Sequence, residues 1–306
     1  MTASSDKPLI LGFSDYSEQA RRLAAAAGLE YREVEVHRFP DGESRVRLPG
    51  SLPSRVIFCR SLHRPNDKLI ELALAAQTAR GLGADHVTLV APYLCYMRQD
   101  KAFHPGEAVS QRLVGHMLAN WFEALVSVDP HLHRVARLED AVPVTSAQCL
   151  SAAHLMARFF HRALDAPVLV GPDSESRQWV SVIAKEQGLD YLIGEKQRLG
   201  DREVRIRFST TIAVGRHVVL IDDVASTGRT LEAAVVALAP MRPASVSVLV
   251  THALFLEGAL ERLRSAGVGE IWSTDSIPHP TNRLELATLL ADACLRLSPG
   301  VTIPGF

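Results

Sequence analysis

The sequence predicts an α/β protein made of two stacked, doubly wound domains with mostly parallel sheets. Short apolar runs alternate with helical patterns along all 306 residues. Strands separated by helices of this length are typical of right-handed βαβ units. A break near Val142–Ala147 separates two similar halves, and the chain is long enough for two ordinary domains. We therefore expect one domain at 1–143 and a second at 144–284, with a helix in 285–306 returning to the first.

The predicted strands are short runs rich in Val, Ile and Leu, which is typical of strands buried on both faces. They are Leu9–Phe13, Val56–Cys59, His86–Ala91, Ala124–Val128, Val168–Gly171, His217–Ile221, Val246–Thr251 and Glu270–Thr274. The helical patterns are Glu18–Ala27, Asp67–Leu82, Val109–Trp121, Ala152–Leu164, Arg177–Gln187, Thr230–Leu238, Glu257–Ala266 and Glu285–Leu297. Because such sheets bind ligands at the carboxyl ends of their strands, the residues after each strand are the functional candidates.

The composition excludes several classes of protein. Hydrophobic residues make up 47% of the chain and charged residues 22%, as in a soluble globular protein. The net charge of −1 lacks the basic excess of a nucleic-acid binder. The four cysteines form no Cys-x-x-Cys pair, which argues against zinc ribbons and disulfide scaffolds and suits a reducing cytoplasm. With no run long enough for a signal peptide or a membrane span, we expect a cytoplasmic protein without nucleic-acid or membrane partners.

The segment His217–Leu231, HVVLIDDVASTGRTL, is the most informative part of the chain. A predicted strand ends on Asp222 and Asp223, and a turn of small and hydroxyl residues then opens onto a helix. Free backbone N–H groups at such a helix start form an anion site, usually for phosphate. Carboxylates beside a phosphate are repulsive unless they bind sugar hydroxyls or a divalent metal, and ribose phosphate meets both demands. The alternative is an ordinary βα turn in which the Asp pair caps the strand.

Two further segments carry side chains suited to a nucleotide. His37–Glu43 reads HRFPDGE, and Arg98–Asp100 reads RQD after the third predicted strand. Arginine can hold phosphate oxygens through two parallel N–H bonds, while Gln and Asp suit a base or ribose edge. Taken alone, the first segment is a common hairpin turn and the second a solvated loop. Their combination is much less expected by chance.

Polar side chains follow two further predicted strands. Asp129 and His131 follow the fourth predicted strand, and Asp173 follows the fifth in GPDSESRQW. His131 and His133 could also be part of a zinc site, although no third ligand accompanies them at helical spacing. Asp173 could equally be a helix N-cap without any metal.

A basic segment, GEKQRLGDREVRIRF, places Lys196 and Arg198 two residues apart. In an extended strand both side chains point to the same side. Taken alone, this basic segment is a solvated hairpin.

Together these segments resemble the ribose-phosphate diphosphokinases over essentially the whole chain. His217–Leu231 resembles the loop that binds 5-phosphoribosyl 1-diphosphate (PRPP) in phosphoribosyltransferases and PRPP synthetases, with Arg229 where the family usually has a small residue. Arg38–Glu43 is similar to the family's RF-x-DGE segment, and Tyr96–Asp100 to its YxRQD segment. Lys101–Ser110 and Thr251–Phe255 look closer to the shorter archaeal forms. The resemblance implies two phosphoribosyltransferase-like domains and a homo-oligomer.

The resemblance also implies a set of site residues. It implies ATP contacts at Phe39, Asp41, Gly42, Glu43, Arg98 and Gln99, and Mg²⁺ near His131 and Asp173. It implies catalytic cations Lys196 and Arg198 on a flap. It implies ribose 5-phosphate contacts at Arg198, Asp222, Asp223, Ser226, Thr227, Gly228, Arg229 and Thr230.

The reaction implied is that of an ATP:D-ribose-5-phosphate diphosphotransferase. The ribose 1-hydroxyl attacks the β-phosphorus of ATP, which releases AMP and forms PRPP. Two alternatives are a non-catalytic regulatory subunit of the same family and a phosphoribosyltransferase. The first is disfavoured by the presence of Lys196, Arg198, Asp222 and Asp223. The second leaves the N-terminal half unexplained.

Overall fold

The computed structural model describes residues 7–132, 134–163, 166–198, 204–210, 212–256 and 258–297. The chain forms two compact units. The first runs to Leu150 and includes the segment from Leu286, and the second is Ser151–Glu285. Within the described ranges, no helix has the length and apolar character needed to span a membrane.

The first unit contains a seven-stranded sheet in the order β3-β2-β1-β4-β5-β6-β7. Its strands are β1 (Leu9–Phe13), β2 (Glu30–Arg38), β3 (Ser44–Arg47), β4 (Arg55–Cys59), β5 (His86–Val90), β6 (Ala124–Val128) and β7 (Ser146–Leu150). All neighbours are parallel except β2 and β3, which form an antiparallel hairpin. The carboxyl ends of β1, β4, β5 and β6 therefore share one edge of the sheet.

Four helices connect these strands: α1 (Ser17–Ala27), α2 (Pro65–Gly81), α3 (Ser110–Trp121) and α4 (Leu138–Ala141). The apolar strand faces pack against them in one buried cluster, which includes Phe13, Phe58, Leu72, Leu89 and Leu118. Burial of this apolar surface is the main stabilising contribution to the unit.

The second unit contains a six-stranded parallel sheet in the order β15-β14-β13-β12-β8-β9 and a separate hairpin of β10 and β11. Its strands are β8 (Val168–Gly171), β9 (Tyr191–Ile193), β10 (Glu195–Arg198), β11 (Val204–Arg207), β12 (His217–Ala225), β13 (Ser245–Ala253), β14 (Val268–Thr274) and β15 (Asn282–Leu284). Its helices are α5 (Ala153–Ala163), α6 (Arg177–Gln187), α7 (Arg229–Leu238) and α8 (Ala259–Ser265). Its core includes Val170, Leu220, Leu231, Val248 and Leu263.

The last helix, α9 (Ala287–Arg296), packs against α1 of the first unit. Leu290, Ala291, Ala293 and Cys294 form its buried side. Leu164 and Glu257, at the ends of two predicted helices, and residues 298–306 lie outside the described residues.

The α/β class with mostly parallel sheets agrees with the sequence prediction, but several strands differ. The hairpin β2–β3 was not predicted because its residues are largely exposed and polar. The expected break is near Val142–Ala147, but β7 begins inside it at Ser146. This strand pairs with β6 in the first sheet. Consequently the units divide between Leu150 and Ser151, whereas the sequence suggests a division after residue 143.

Candidate active site

The turn between β12 and α7 leads into a helix start that has no side-chain cap. Gly228 precedes the helix with a φ of 74° in the left-handed region, where residues with a Cβ are strained. The loop carbonyls are already occupied, because Ser226 accepts from Leu256 N–H at 2.9 Å and Thr227 accepts from Arg262 Nη2 at 2.6 Å. The helix has no side-chain cap. Its first N–H groups and dipole therefore suit an anion.

Asp222 and Asp223 lie within the end of β12, which continues to Ala225 rather than ending at Ile221 as predicted. Neighbouring strand residues point to opposite faces, and here Asp222 is only partly exposed while Asp223 is buried. The Asp223 N–H donates to Asp222 Oδ1 at 3.1 Å. Loss of hydration, followed by the charges of Asp223 and Asp173, raises the pKa of Asp222 well above its usual range. Three carboxyl groups therefore lie close together at this edge of the sheet, where hydroxyl donors or a cation would stabilise their ionised forms.

Asp173 follows β8 and is 7% exposed. Its Oδ1 accepts from the Glu175 N–H at 3.0 Å, and its Oδ2 accepts from Lys196 Nζ at 2.9 Å. The Ser176 hydroxyl donates to the Asp173 carbonyl at 2.6 Å. Because α6 begins only at Arg177, Asp173 is not its N-cap. The carboxylate instead joins the strand end to the β10–β11 hairpin.

The hairpin of β10 and β11 carries the two predicted cations. Lys196 pairs with Ile206 in its register and Arg198 with Val204. The Lys196 side chain is 18% exposed, in the ion pair with Asp173. Residues 199–203 and the Arg198 side chain lie outside what the structure describes. The structure thus brings Lys196 to the carboxylate cluster of the second unit.

The carboxylates of the second unit offer few ligands for a metal. Among the residues that the structure describes, no three His, Cys, Asp or Glu side chains are grouped to hold an ion. Mg²⁺ is usually held by one or two carboxylates together with substrate phosphates and water. Asp173 therefore fits an ion that arrives with phosphate, and not a metal held by protein ligands alone.

In the first unit, the residues 39–43 form the turn of the β2–β3 hairpin. The Phe39 N–H donates to the Glu43 carbonyl at 2.8 Å, and the Glu43 N–H donates to Asp41 Oδ1 at 3.1 Å. Gly42 has a φ of 93°, and its N–H donates to the Phe39 carbonyl at 2.9 Å. The Phe39 ring is 40% exposed and packs edge-on against His37 at 4.9 Å. An exposed aromatic ring beside two carboxylates suits stacking on a base.

Arg98 and Gln99 lie in the loop after β5, which α3 holds in place. Gln99 Oε1 accepts from the Ser110 hydroxyl at 2.7 Å, and the Gln111 amide donates to the Met97 carbonyl at 3.0 Å. The Arg98 side chain is exposed. The loop is therefore anchored while its arginine remains accessible to a ligand.

Asp100 links this loop to the one that follows β6. Its side chain is 1% exposed and accepts from Arg134 Nη1 at 2.6 and 2.9 Å. Arg134 is close in sequence to His131, which is half-buried. The pair thus connects the segments that carry Arg98, Gln99 and His131.

The sequence did not identify the side chains that hold these segments. Ser110, Arg134 and Arg262 contact the predicted loops through hydrogen bonds. Each is an ordinary polar residue in its local sequence, so no motif marked it. Only the tertiary contacts reveal these roles.

Two family models match the chain in succession. The model described as the N-terminal domain of ribose phosphate pyrophosphokinase matches residues 9–121. The model of the phosphoribosyl transferase domain matches residues 148–271. The first match therefore spans β1 to β5 and α3, and the second spans β8 to β13.

Two proteins that are similar along most of their length are both described as ribose-phosphate pyrophosphokinases. A ribose-phosphate pyrophosphokinase of Methanopyrus kandleri is 34% identical over 293 residues, covering 95% of this chain and 99% of that protein. One from Saccharolobus solfataricus is 35% identical over 277 residues, covering 88% and 93%. A crystal structure of phosphoribosylpyrophosphate synthetase from Mycobacterium smegmatis shares the fold, with a TM-score of 0.79 at 24% identity and coverage of 94% and 97%. The chain therefore belongs to the ribose-phosphate pyrophosphokinase family.

Proposed function

We propose that the protein is an ATP:D-ribose-5-phosphate diphosphotransferase, which makes AMP and PRPP. The archaeal relatives matched over most of their length are named for this activity. The structural observation that carries the proposal is the carboxyl edge of the second sheet. There the start of α7, which has no side-chain cap, follows the strand end that carries Asp222 and Asp223, and Lys196 contacts Asp173. These groups match a phosphate and a set of sugar hydroxyls.

Ribose 5-phosphate would bind in the second unit. Its phosphate would accept from the backbone and hydroxyl groups of 226–230, at the positive end of α7. Asp222 and Asp223 would accept hydrogen bonds from the ribose hydroxyls. Arg229, the exposed first residue of the helix, would add a cation beside the phosphate.

ATP would bind through the first-unit segments. Phe39 would stack on the base, while Asp41, Gly42 and Glu43 would contact the nucleoside. Arg98 would hold phosphate oxygens, and Gln99 would donate from the amide group whose oxygen is engaged by Ser110. When bound, Mg²⁺ would neutralise phosphate charge near His131 and Asp173.

The transfer itself would be an in-line displacement. The ribose 1-hydroxyl oxygen would bond to the β-phosphorus as the bond from that phosphorus to the α,β-bridging oxygen breaks. The hydroxyl proton would pass to solvent water, and AMP would leave with the bridging oxygen. Lys196 and Arg198 would neutralise the charge that develops on the transferring group. Most of the acceleration would come from positioning and electrostatics.

A homo-oligomer is part of the same proposal. On α2, Ile70 and Leu74 are 58% and 43% exposed, and on α3, Leu113 and Met117 are 57% and 39% exposed. Both pairs have the i, i+4 spacing that places side chains on one helical face. Exposed apolar faces of this kind suit contact with a second copy. Light scattering after size-exclusion chromatography would measure the mass of the protein in solution, and therefore the number of copies in the oligomer.

The decisive assay follows AMP and PRPP production from ATP, Mg²⁺ and ribose 5-phosphate. We expect equal amounts of both products. Lys196→Ala should lower kcat by about 10²–10³, as loss of a transition-state charge contact does in other enzymes. Lys185→Ala, an exposed lysine on α6, is the matched control and should retain wild-type activity.

Three other outcomes would contradict the proposal. Formation of ADP would mean that a single phosphoryl group is transferred. Binding of ribose 5-phosphate without any turnover would favour a regulatory subunit. PRPP consumption with a free base would favour a phosphoribosyltransferase.

A further inference from the structure

A buried carboxylate on α2 contacts both ends of the turn formed by residues 39–43. Glu71 is 1% exposed, and its Oε1 accepts from the Ser44 hydroxyl at 3.0 Å and from Arg38 Nη2 at 3.4 Å. Its Oε2 lies 2.6 Å from Arg60 Nη2. One carboxylate thus contacts three side chains from two elements of the sheet and the segment after β4.

Two of these partners, Arg38 and Ser44, lie at the two ends of the turn. Arg38 is the last residue of β2 and Ser44 is the first of β3, and the two are paired in the hairpin register. They flank the residues 39–43 directly. Arg38 makes a second contact with α2, because its Nη1 lies 2.9 Å from Asp67 Oδ2. Both stems of the turn are therefore attached to one helix.

The carboxylate is itself held from the core side. The Arg60 side chain is 5% exposed, its Nε donates to Asp15 Oδ1 at 2.9 Å, and its guanidinium lies 4.1 Å from the centre of the Phe13 ring. Separating a buried ion pair of this kind is strongly unfavourable, because it leaves an uncompensated charge in the protein interior. Glu71 consequently has a defined place from which to hold the hairpin.

We propose that Glu71 is a positioning residue for the nucleotide, acting through Arg38 and Ser44 on the turn that carries Phe39. This inference rests on the proposed function, in which that turn contacts ATP. The hairpin is otherwise largely exposed, so without this attachment the turn would sample more positions. Binding ATP would then require ordering it, which weakens affinity.

The test compares the kinetics of two Glu→Gln variants. Glu71→Gln should raise the KM for ATP by at least about tenfold, the factor that corresponds to ~1.4 kcal/mol. It should leave kcat at saturating ATP and the KM for ribose 5-phosphate close to the wild-type values. Glu35→Gln is the matched control. Glu35 accepts from Arg47 Nε at 2.8 Å across the same hairpin, where both side chains are exposed, and its loss should not change the KM for ATP.

A second variant separates positioning from folding. Ser44→Ala removes one contact of Glu71 and leaves the buried pair with Arg60 intact, so it should fold normally by circular dichroism. We expect a smaller rise of the KM for ATP in the same direction. If Glu71→Gln folds, a wild-type KM for ATP in both variants would overturn the inference. If Glu71→Gln does not fold, a wild-type KM for ATP in Ser44→Ala is enough to overturn it. A wild-type protein that makes no PRPP would instead overturn the proposed function, and this inference with it.

Discussion

At the scale of single residues, the first unit buries charges near the carboxyl ends of β1 and β4. Lys68 Nζ lies 2.7 Å from Asp15 Oδ2 and donates to the Ser61 carbonyl at 2.7 Å. Burial lowers the pKa of Lys68, whereas the charges of Arg60 and Lys68 outweigh burial and lower the pKa of Asp15. Arg60 and Lys68 are buried while the Asp15 side chain is 31% exposed, so these ion pairs are partly shielded from screening by salt.

His63 provides a pH test of this cluster. Burial, followed by the charge of Lys68, lowers the pKa of His63 from 6.5 to about 4. Between these two values the unfolded chain binds the proton and the folded protein does not. The free energy of unfolding should therefore fall as the pH falls through that window. In His63→Gln this part of the pH dependence should be absent when denaturant unfolding is measured at about pH 7 and pH 5.

The exposed His116 on α3 supplies the control for this experiment. His116→Gln should retain the wild-type change in stability between the two pH values. Equal losses of stability in wild type and His63→Gln would contradict the expectation.

At the scale of elements, α3 depends on a close approach to α4. A Cβ built at Gly115 would overlap the backbone carbonyl of Ala141. The same helix holds the loop of Arg98 and Gln99 through Ser110 and Gln111. The packing of one helix therefore determines where a predicted ligand segment lies.

Gly115→Ala should lower the free energy of unfolding by about 1–3 kcal/mol, the usual cost of overfilling a packed site. The backbone oxygen of Ala141 cannot rotate away as a side chain could. Gly81→Ala in α2 meets no atom within 4 Å and serves as the control. It should be neutral or stabilise by about 0.4–1 kcal/mol in urea unfolding. A neutral Gly115→Ala would show that α3 and α4 separate readily.

The strands also show which bounds a sequence pattern can predict. The buried strands β1, β6 and β8 agree with the predicted bounds, because a continuous apolar run reports burial on both faces. The hairpin of β2 and β3 was not predicted. Its residues are largely exposed and polar, and such residues form strands only because they pair with a neighbouring strand. β12 is longer than predicted because Asp222–Ala225 continue to pair with β13.

At the scale of the whole molecule, each compact unit has its own sheet and its own buried core. The proposed ligands are divided in the same way, with nucleotide segments in the first unit and the ribose phosphate loop in the second. Each ligand should consequently stabilise its own unit most strongly.

Hydrogen exchange can measure this division of ligands. Ribose 5-phosphate alone should slow exchange of the backbone amides in 222–230, because a bound ligand suppresses local opening. ATP with Mg²⁺ should slow exchange in 39–43 and 96–100. Inorganic sulfate is the control for a simple anion effect. Protection by ATP confined to 222–230 would contradict the assignment of the nucleotide segments.

The α/β class, the mostly parallel sheets and the loops expected to bind phosphate can all be predicted from the sequence. These features are local, because strand burial, a helix start and an anion-binding turn are each set by adjacent residues. The contacts of Glu71 with Arg38 and Ser44, of Arg134 with Asp100, and of Lys196 with Asp173 are visible only in the folded protein. The partners in each pair lie far apart along the chain, so only the packing of the elements brings their polar atoms within hydrogen-bond distance.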